Sequence, residues 1–113
     1  MGAVPTEMVP VCPASELALD EPRGVETPWG PVVVVRAATG IYAVTDRCTH
    51  DDVPLSDGFV DGDTVECPAH LSQFCLRTGA ALTMPATEPV ETWTVAVIDE
   101  VIYLQKLGND PGP

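Results

Sequence analysis

One stretch of the chain, from Cys48 to His70, carries two cysteines and two histidines in mixed pairs. One residue separates Cys48 from His50, two residues separate Cys67 from His70, and residues 51–66 lie between the pairs. Thiolate sulfur and imidazole nitrogen suit iron–sulfur or zinc chemistry better than hard cations that prefer oxygen. Because four ligands must meet at one point, the fold has to bring two separate segments together.

The chain contains only two histidines, and both stand in this pattern. A lone histidine is more often packed or solvated, but two histidines that are each paired with a cysteine favour a shared site. A 2Fe–2S centre in which two His replace two Cys on one iron has this ligand set. A structural zinc module is the alternative from another class, although common zinc sites place two Cys together and two His later.

The motifs around the four residues resemble those of a known family. The segment between Asp46 and Gly79 contains Cys-Thr-His, Pro-Leu-Ser-Asp-Gly, Gly-Asp-Thr-Val-Glu-Cys-Pro-Ala-His and Phe-Cys-Leu-Arg-Thr-Gly. This pattern resembles the Rieske-type ferredoxins of bacterial aromatic-ring-hydroxylating dioxygenases of the biphenyl or carbazole kind. The resemblance implies one Rieske 2Fe–2S cluster per chain, with the inner iron bound by Cys48 and Cys67 and the outer iron by His50 and His70.

The resemblance also implies an all-β Rieske fold: an antiparallel barrel with a small inserted cluster-binding subdomain. We expect one domain over residues 1–113, with the subdomain at about residues 46–84, since 113 residues are too few for two independent cores. The residues themselves agree, because Val32–Val35 and Ile41–Val44 are β-branched runs joined by a turn.

Other strands follow from the same reasoning. We predict an edge strand at Met8–Cys12, since Pro10 cannot donate to a ladder, and a single turn capped by Ser15. The remaining predicted strands are Val25–Thr27, Thr64–Glu66, Gln73–Arg77 and a closing hairpin of Thr92–Ile98 and Val101–Leu104, with Gly108–Pro113 as a frayed tail.

Charge limits the partners. Five basic residues against seventeen acidic ones give a formal net charge of −12, which excludes nucleic acid and disfavours an anionic membrane surface. No apolar run approaches the length of a membrane span, and the first residues lack the features of a signal peptide, so we expect a cytoplasmic protein. A basic protein surface is the natural complement.

The resemblance implies a soluble electron carrier between a flavin-dependent NAD(P)H reductase and a terminal oxygenase, and we expect it to be a monomer. It should not itself be an enzyme. No histidine remains for a mononuclear iron site, and no dinucleotide-binding G-x-G-x-x-G occurs. The small Rieske subunit of an assimilatory nitrite reductase is an alternative with the same fold.

The other two cysteines, Cys12 and Cys75, are predicted to be packed thiols and not ligands. Respiratory Rieske proteins carry an extra Cys in each ligand loop, but Val53 and Ala69 stand at the corresponding positions here. Those proteins also place a Ser and a Tyr hydroxyl near the cluster. Ser72 matches the first, whereas Phe74 replaces the second, so we expect a low reduction potential.

The partner-facing surface is predicted to have an acidic rim. Leu55, Leu71 and Pro85 would form its apolar centre, unless they pack in the core. The acidic residues that would steer docking are Asp51, Asp52, Asp57, Asp61 and Asp63.

Overall fold

The computed structural model describes residues 8–48, 53–69, 72–84 and 86–106. Within these ranges the chain forms nine strands and two short 3₁₀ turns, Ala14–Glu16 and Leu55–Asp57. The strands are β1 Val9–Pro13, β2 Arg23–Thr27, β3 Gly30–Ala37, β4 Gly40–Thr45, β5 Phe59–Asp61, β6 Thr64–Glu66, β7 Gln73–Cys75, β8 Thr92–Ile98 and β9 Val101–Lys106.

The strands form two antiparallel sheets. The larger has six strands in the order β1-β9-β8-β4-β3-β2, and it curls so that its edge strands β1 and β2 approach one another. The smaller has three strands in the order β5-β6-β7 and is inserted between β4 and β8. The predicted all-β fold with a nearly closed, barrel-like sheet is confirmed.

β3 is covered on both of its faces, which explains its continuous run of valines. Val33 and Val35 point to a core shared with the small sheet, whereas Val32 and Val34 point to a second core inside the large sheet. All four side chains are fully buried, and burying each contributes roughly 1.5–3 kcal/mol relative to leaving it exposed. β3 is therefore the wall that joins the barrel to the small sheet.

Most of the predicted strands are confirmed, and the hairpin of β8 and β9 turns at Asp99 and Glu100. Both turn residues have positive φ, 53° and 67°, as two-residue hairpin turns of right-handed twist require. β1 lies at the edge of its sheet, with a bulge between Pro10 and Cys12.

Three details differ from the sequence predictions. The 3₁₀ turn at Ala14–Glu16 has Pro13 at its N-cap and no side-chain cap, so the predicted cap by Ser15 is wrong. The predicted strand Gln73–Arg77 ends at Cys75, because the chain turns there and Gly79 donates its N–H to the Cys75 carbonyl at 2.7 Å. β5 was not predicted. The predicted tail Gly108–Pro113 lies outside the described residues.

The helical segments that the structure describes are single 3₁₀ turns, and none is long or apolar enough to cross a membrane.

Candidate metal centre

Each of the two predicted ligand cysteines begins a loop that is closed by the same backbone hydrogen bond. The N–H of Cys48 donates to the carbonyl of Val53 at 2.9 Å, and the N–H of Cys67 donates to the carbonyl of Ser72 at 2.7 Å. We call residues 48–53 the first ligand loop and residues 67–72 the second. In both loops the backbone N–H of the cysteine is hydrogen-bonded to the carbonyl of the residue five positions later.

The two loops start from different sheets. The first follows β4, the last strand before the small sheet, and the second follows β6 directly. Cys48 is 2% exposed and Cys67 is 0% exposed, and both belong to the core that joins the two sheets. All four cysteines lie in the described residues, and none forms a disulfide. The fold therefore places two reduced thiols from distant parts of the chain in one interior.

These observations fit the cysteine half of a mixed iron–sulfur site. Thiolates are the ligands that iron–sulfur clusters use, and burial away from water suits an electron-carrying centre. His50 and His70 lie outside the described residues. The described residues include both predicted ligand cysteines but neither histidine. Among these residues, no group of three or more His, Cys, Asp and Glu is arranged to bind a metal. The set of four ligands therefore stays a prediction.

Ser72 ties the second ligand loop to a later segment of the chain. Its side chain is fully buried, and its Oγ accepts the N–H of Ala86 at 3.2 Å. The neighbouring segment is held in the same way, since Leu82 donates its N–H to the Gln73 carbonyl at 2.7 Å. Hydrogen bonds from backbone N–H groups thus hold Leu82 and Ala86 beside Gln73 and Ser72 at the end of the second loop.

The base of the first ligand loop is held by a pair of side-chain contacts that the sequence did not single out. Asp46 accepts the N–H of Ser56 on Oδ1 at 2.6 Å and the hydroxyl of Ser56 on Oδ2 at 2.7 Å. The two residues lie on opposite sides of the first ligand loop, ten positions apart. An Asp just before the first Cys and a Ser inside Pro-Leu-Ser-Asp-Gly was the only sequence signal for this contact.

A groove of about 460 Å³ runs beside the first ligand loop. Trp29 and Trp93 form one wall, with ring centroids 5.9 Å apart, and the Nζ of Lys106 lies 4.5 Å from the centre of the Trp93 ring. The remaining lining residues are Pro31, Thr45, Asp46, Arg47, Val53 and Pro54. The groove is therefore largely apolar and reaches the backbone on both sides of the loop.

The predicted apolar docking centre needs a correction. Leu55 is fully buried in the core beside Cys48 and Cys67, so it packs and is not part of a partner-facing surface. Leu71 and Pro85 lie outside the described residues. The exposed apolar side chains of this region are instead Leu82 and Met84, 51% and 74% exposed, which sequence reasoning missed because both stand in a segment without regular periodicity.

The two remaining cysteines differ from one another. Cys12 is buried in the barrel core, and this burial raises the pKa of its thiol. Partial burial also acts to raise the pKa of Cys75, but hydrogen bonds from Thr78 and the nearby charge of Arg77 outweigh it, so the pKa is lowered. The prediction of a packed thiol describes Cys12 well, whereas Cys75 is only half-buried.

Comparison with known proteins agrees with this geometry. Residues 7–94 match the family model of the Rieske [2Fe-2S] domain. The chain is 44% identical over 96 residues to the 3-phenylpropionate/cinnamic acid dioxygenase ferredoxin subunit of Photorhabdus laumondii, covering 83% of this chain and 90% of that protein. The protein of the same name from Escherichia coli K12 is 41% identical over 95 residues, covering 82% of this chain and 88% of that protein.

Solved structures give the same result. The ferredoxin of carbazole 1,9a-dioxygenase from Nocardioides aromaticivorans superposes with a TM-score of 0.83 at 28% identity, covering 88% of this chain and 98% of that one. A chain in the complex of reduced oxygenase and oxidized ferredoxin in carbazole 1,9a-dioxygenase superposes with a TM-score of 0.82 at 34% identity. The match covers 88% of this chain and 94% of that one.

A nitrite reductase small subunit from Mycobacterium tuberculosis has a TM-score of 0.79 at 20% identity, over 88% of this chain and 95% of that one, which shows the shared fold alone. The family match sets the zinc alternative aside, since the matching model describes a [2Fe–2S] domain. The chain belongs to the Rieske [2Fe–2S] family, among the ferredoxin subunits of dioxygenase systems, and it is an electron carrier and not an enzyme.

Proposed function

We propose that this ferredoxin takes single electrons from a flavin-dependent NAD(P)H reductase and delivers them to the terminal oxygenase of an aromatic-ring-hydroxylating dioxygenase. The observation that supports the site is the pair of buried cysteines, Cys48 and Cys67, which begin two loops with the same five-residue closure. The oxygenase partner is supported by relatives that are named as dioxygenase ferredoxin subunits. The reductase is proposed from the resemblance to the ferredoxins of dioxygenase systems.

In this proposal Cys48 and Cys67 bind the inner iron of the cluster, and His50 and His70 bind the outer iron. The bound Rieske cluster supplies a one-electron couple, with a potential above that of all-cysteine ferredoxins because neutral imidazoles replace two thiolates. The protein excludes water from the cysteine side through the core around Leu55, and it holds each loop by its backbone hydrogen bond.

The proposed docking face lies beside the second ligand loop. Leu82 and Met84 give it exposed apolar side chains, and the acidic residues of the small sheet give it negative charge. Redox partners meet through small contact areas, which allow rapid dissociation. A monomer in the cytoplasm, free to move between two partners, suits this role. The cluster-binding subdomain is proposed to extend over about residues 46–84.

The ligand assignment is tested by single substitutions and by measuring iron, acid-labile sulfide and the paramagnetic signal of the reduced protein. Cys48→Ser and Cys67→Ser should lose the cluster, and His50→Ala and His70→Ala should lose it or lose its Rieske signal. Cys12→Ser and Cys75→Ser are matched controls, since they remove the same atom elsewhere, and both should keep a wild-type signal. A normal cluster in Cys48→Ser or Cys67→Ser would refute the assignment.

A further inference from the structure

The contact between Asp46 and Ser56 encloses the first ligand loop. Both carboxylate oxygens of Asp46 bind one residue: Oδ1 accepts the Ser56 N–H at 2.6 Å and Oδ2 accepts the Ser56 hydroxyl at 2.7 Å. The bond between the N–H of Cys48 and the carbonyl of Val53 lies inside this closure in sequence. The loop that begins at Cys48 is thus closed twice, once by backbone and once by side chains.

The barrel holds this pair of residues in place. The backbone N–H of Asp46 donates to the carbonyl of Pro31 at 3.1 Å, so the residue is fixed to the start of β3. Gly24 of β2 packs against the other side, since a Cβ at this position would lie 2.9 Å from Oδ2 of Asp46 and 3.1 Å from Oγ of Ser56. Gly24 therefore lies in close contact with both side chains, and position 24 has no room for a Cβ.

We propose that Asp46 is a positioning residue for the cluster, which sets the first ligand loop by clamping Ser56 against β2. The clamp fixes the distance between Asp46 and Ser56, and in this proposal that distance sets the position of Cys48 at the start of the loop. Charge is not the essential property of Asp46. An amide of the same shape can accept the N–H of Ser56 and donate to its hydroxyl oxygen. The proposal rests on the ligand set proposed above.

Four substitutions separate geometry from charge. Asp46→Asn keeps the shape and removes the charge, Asp46→Glu keeps the charge but places the carboxylate one methylene farther from the backbone, and Asp46→Ala removes both bonds. Ser56→Ala removes only the hydroxyl. The matched control is Asp63→Ala, because the carboxylate of Asp63 binds Arg77 at 2.9 Å on the small sheet and lies outside the first ligand loop.

The readouts are the rate at which the holoprotein loses iron to a chelator and the g-values of the reduced protein. Losing or misplacing the two hydrogen bonds to Ser56 should make Asp46→Ala and Asp46→Glu lose iron about tenfold faster or more, with shifted or broadened g-values. The rate of iron loss from Ser56→Ala should lie between the rates of these variants and of wild type. Asp46→Asn and Asp63→Ala should match wild type in both readouts.

Each other outcome counts against the clamp. It is overturned if Asp46→Ala behaves as wild type, if Asp46→Asn fails as Asp46→Ala does, or if Asp63→Ala has an equal effect. Should Asp46→Ala not fold, a Ser56→Ala protein indistinguishable from wild type overturns it. A wild-type protein that never holds a cluster would instead refute the proposed ligand set, so the two failures are distinguishable.

Discussion

At the scale of single residues, spacing in the sequence separates the two predicted ligand cysteines from the other two. Cys48 and Cys67 each stand shortly before a histidine, and each begins a closed loop. Cys12 and Cys75 lie in strands, and no histidine follows either of them within three residues. The sequence therefore singles out Cys48 and Cys67 as predicted ligands, and this assignment stays a prediction. The sequence did not distinguish Cys12 from Cys75, since their difference in burial and pKa depends on tertiary neighbours.

That difference predicts which thiol reacts in the holoprotein. Alkylation requires thiolate, and the pKa of half-buried Cys75 is lowered, whereas burial raises the pKa of Cys12. Iodoacetamide should label Cys75 first, and its rate should rise at a lower pH than for an ordinary thiol. Peptide mass mapping measures this, with Cys75→Ser as the control that abolishes the fast phase. Faster labelling of Cys12 would contradict the assignment.

Phe74 offers a test of how the potential is tuned. Its ring is fully buried in the same core as Cys48 and Cys67, where respiratory Rieske proteins place a tyrosine. A hydrogen bond to a charged group contributes roughly 1.5–3 kcal/mol, which for a one-electron couple corresponds to about 60–130 mV. Phe74→Tyr should therefore raise the reduction potential by about that amount in a redox titration. No rise would refute the assignment of this position.

At the scale of elements, long β-branched runs and turn residues were enough to predict β3, β4, β8 and β9. β5 was missed because three residues between two turns carry too little periodicity. The sequence left open whether Leu55 belongs to the docking surface or packs in the core, and the 3₁₀ turn points it into the core. The clamp of Asp46 and Ser56 was missed because nothing in a sequence reports a side-chain contact across a loop.

Gly58 lies between the 3₁₀ turn Leu55–Asp57 and β5, and its packing against β6 predicts an element-scale effect. A Cβ at Gly58 would collide with the backbone carbonyl of Glu66, the last residue of β6. Because backbone cannot move aside as a side chain does, Gly58→Ala should lower the free energy of unfolding by about 3 kcal/mol or more. Thermal or denaturant unfolding of the holoprotein measures this loss.

Gly62→Ala is the matched control for that substitution. Gly62 has a φ of 62° but open space around it, so alanine there meets only the backbone penalty of about 1 kcal/mol. An equal decrease in the free energy of unfolding for Gly58→Ala and Gly62→Ala would show that close packing of Gly58 against β6 is not important.

At the scale of the whole molecule, the net charge of −12 predicts how the protein meets its partners. Opposite charge speeds encounter, and salt screens it over about 8–10 Å at physiological ionic strength. Turnover of a reconstituted reductase, ferredoxin and oxygenase system at limiting ferredoxin should fall severalfold as salt rises. A flat response would argue against electrostatic steering.

The position of the steering charges can be tested in the same assay. Asp57 and Asp61 are exposed on the small-sheet side, whereas Asp99 and Glu100 are exposed at the turn between β8 and β9. Asp57→Asn with Asp61→Asn should flatten the salt dependence. The double substitution Asp99→Asn with Glu100→Gln removes the same amount of charge and should leave the salt dependence of turnover unchanged. The reverse result would place the docking face elsewhere.

The central claim is that two cysteines and two histidines share one 2Fe–2S cluster, and nitrogen hyperfine spectroscopy of the reduced protein tests it most directly. The chain has only two histidines, so labelling histidine with ¹⁵N marks His50 and His70 and no other side chain. The account predicts couplings from two nitrogens, both changed by the label. Couplings from fewer than two nitrogens, or couplings that the label leaves unchanged, would contradict it.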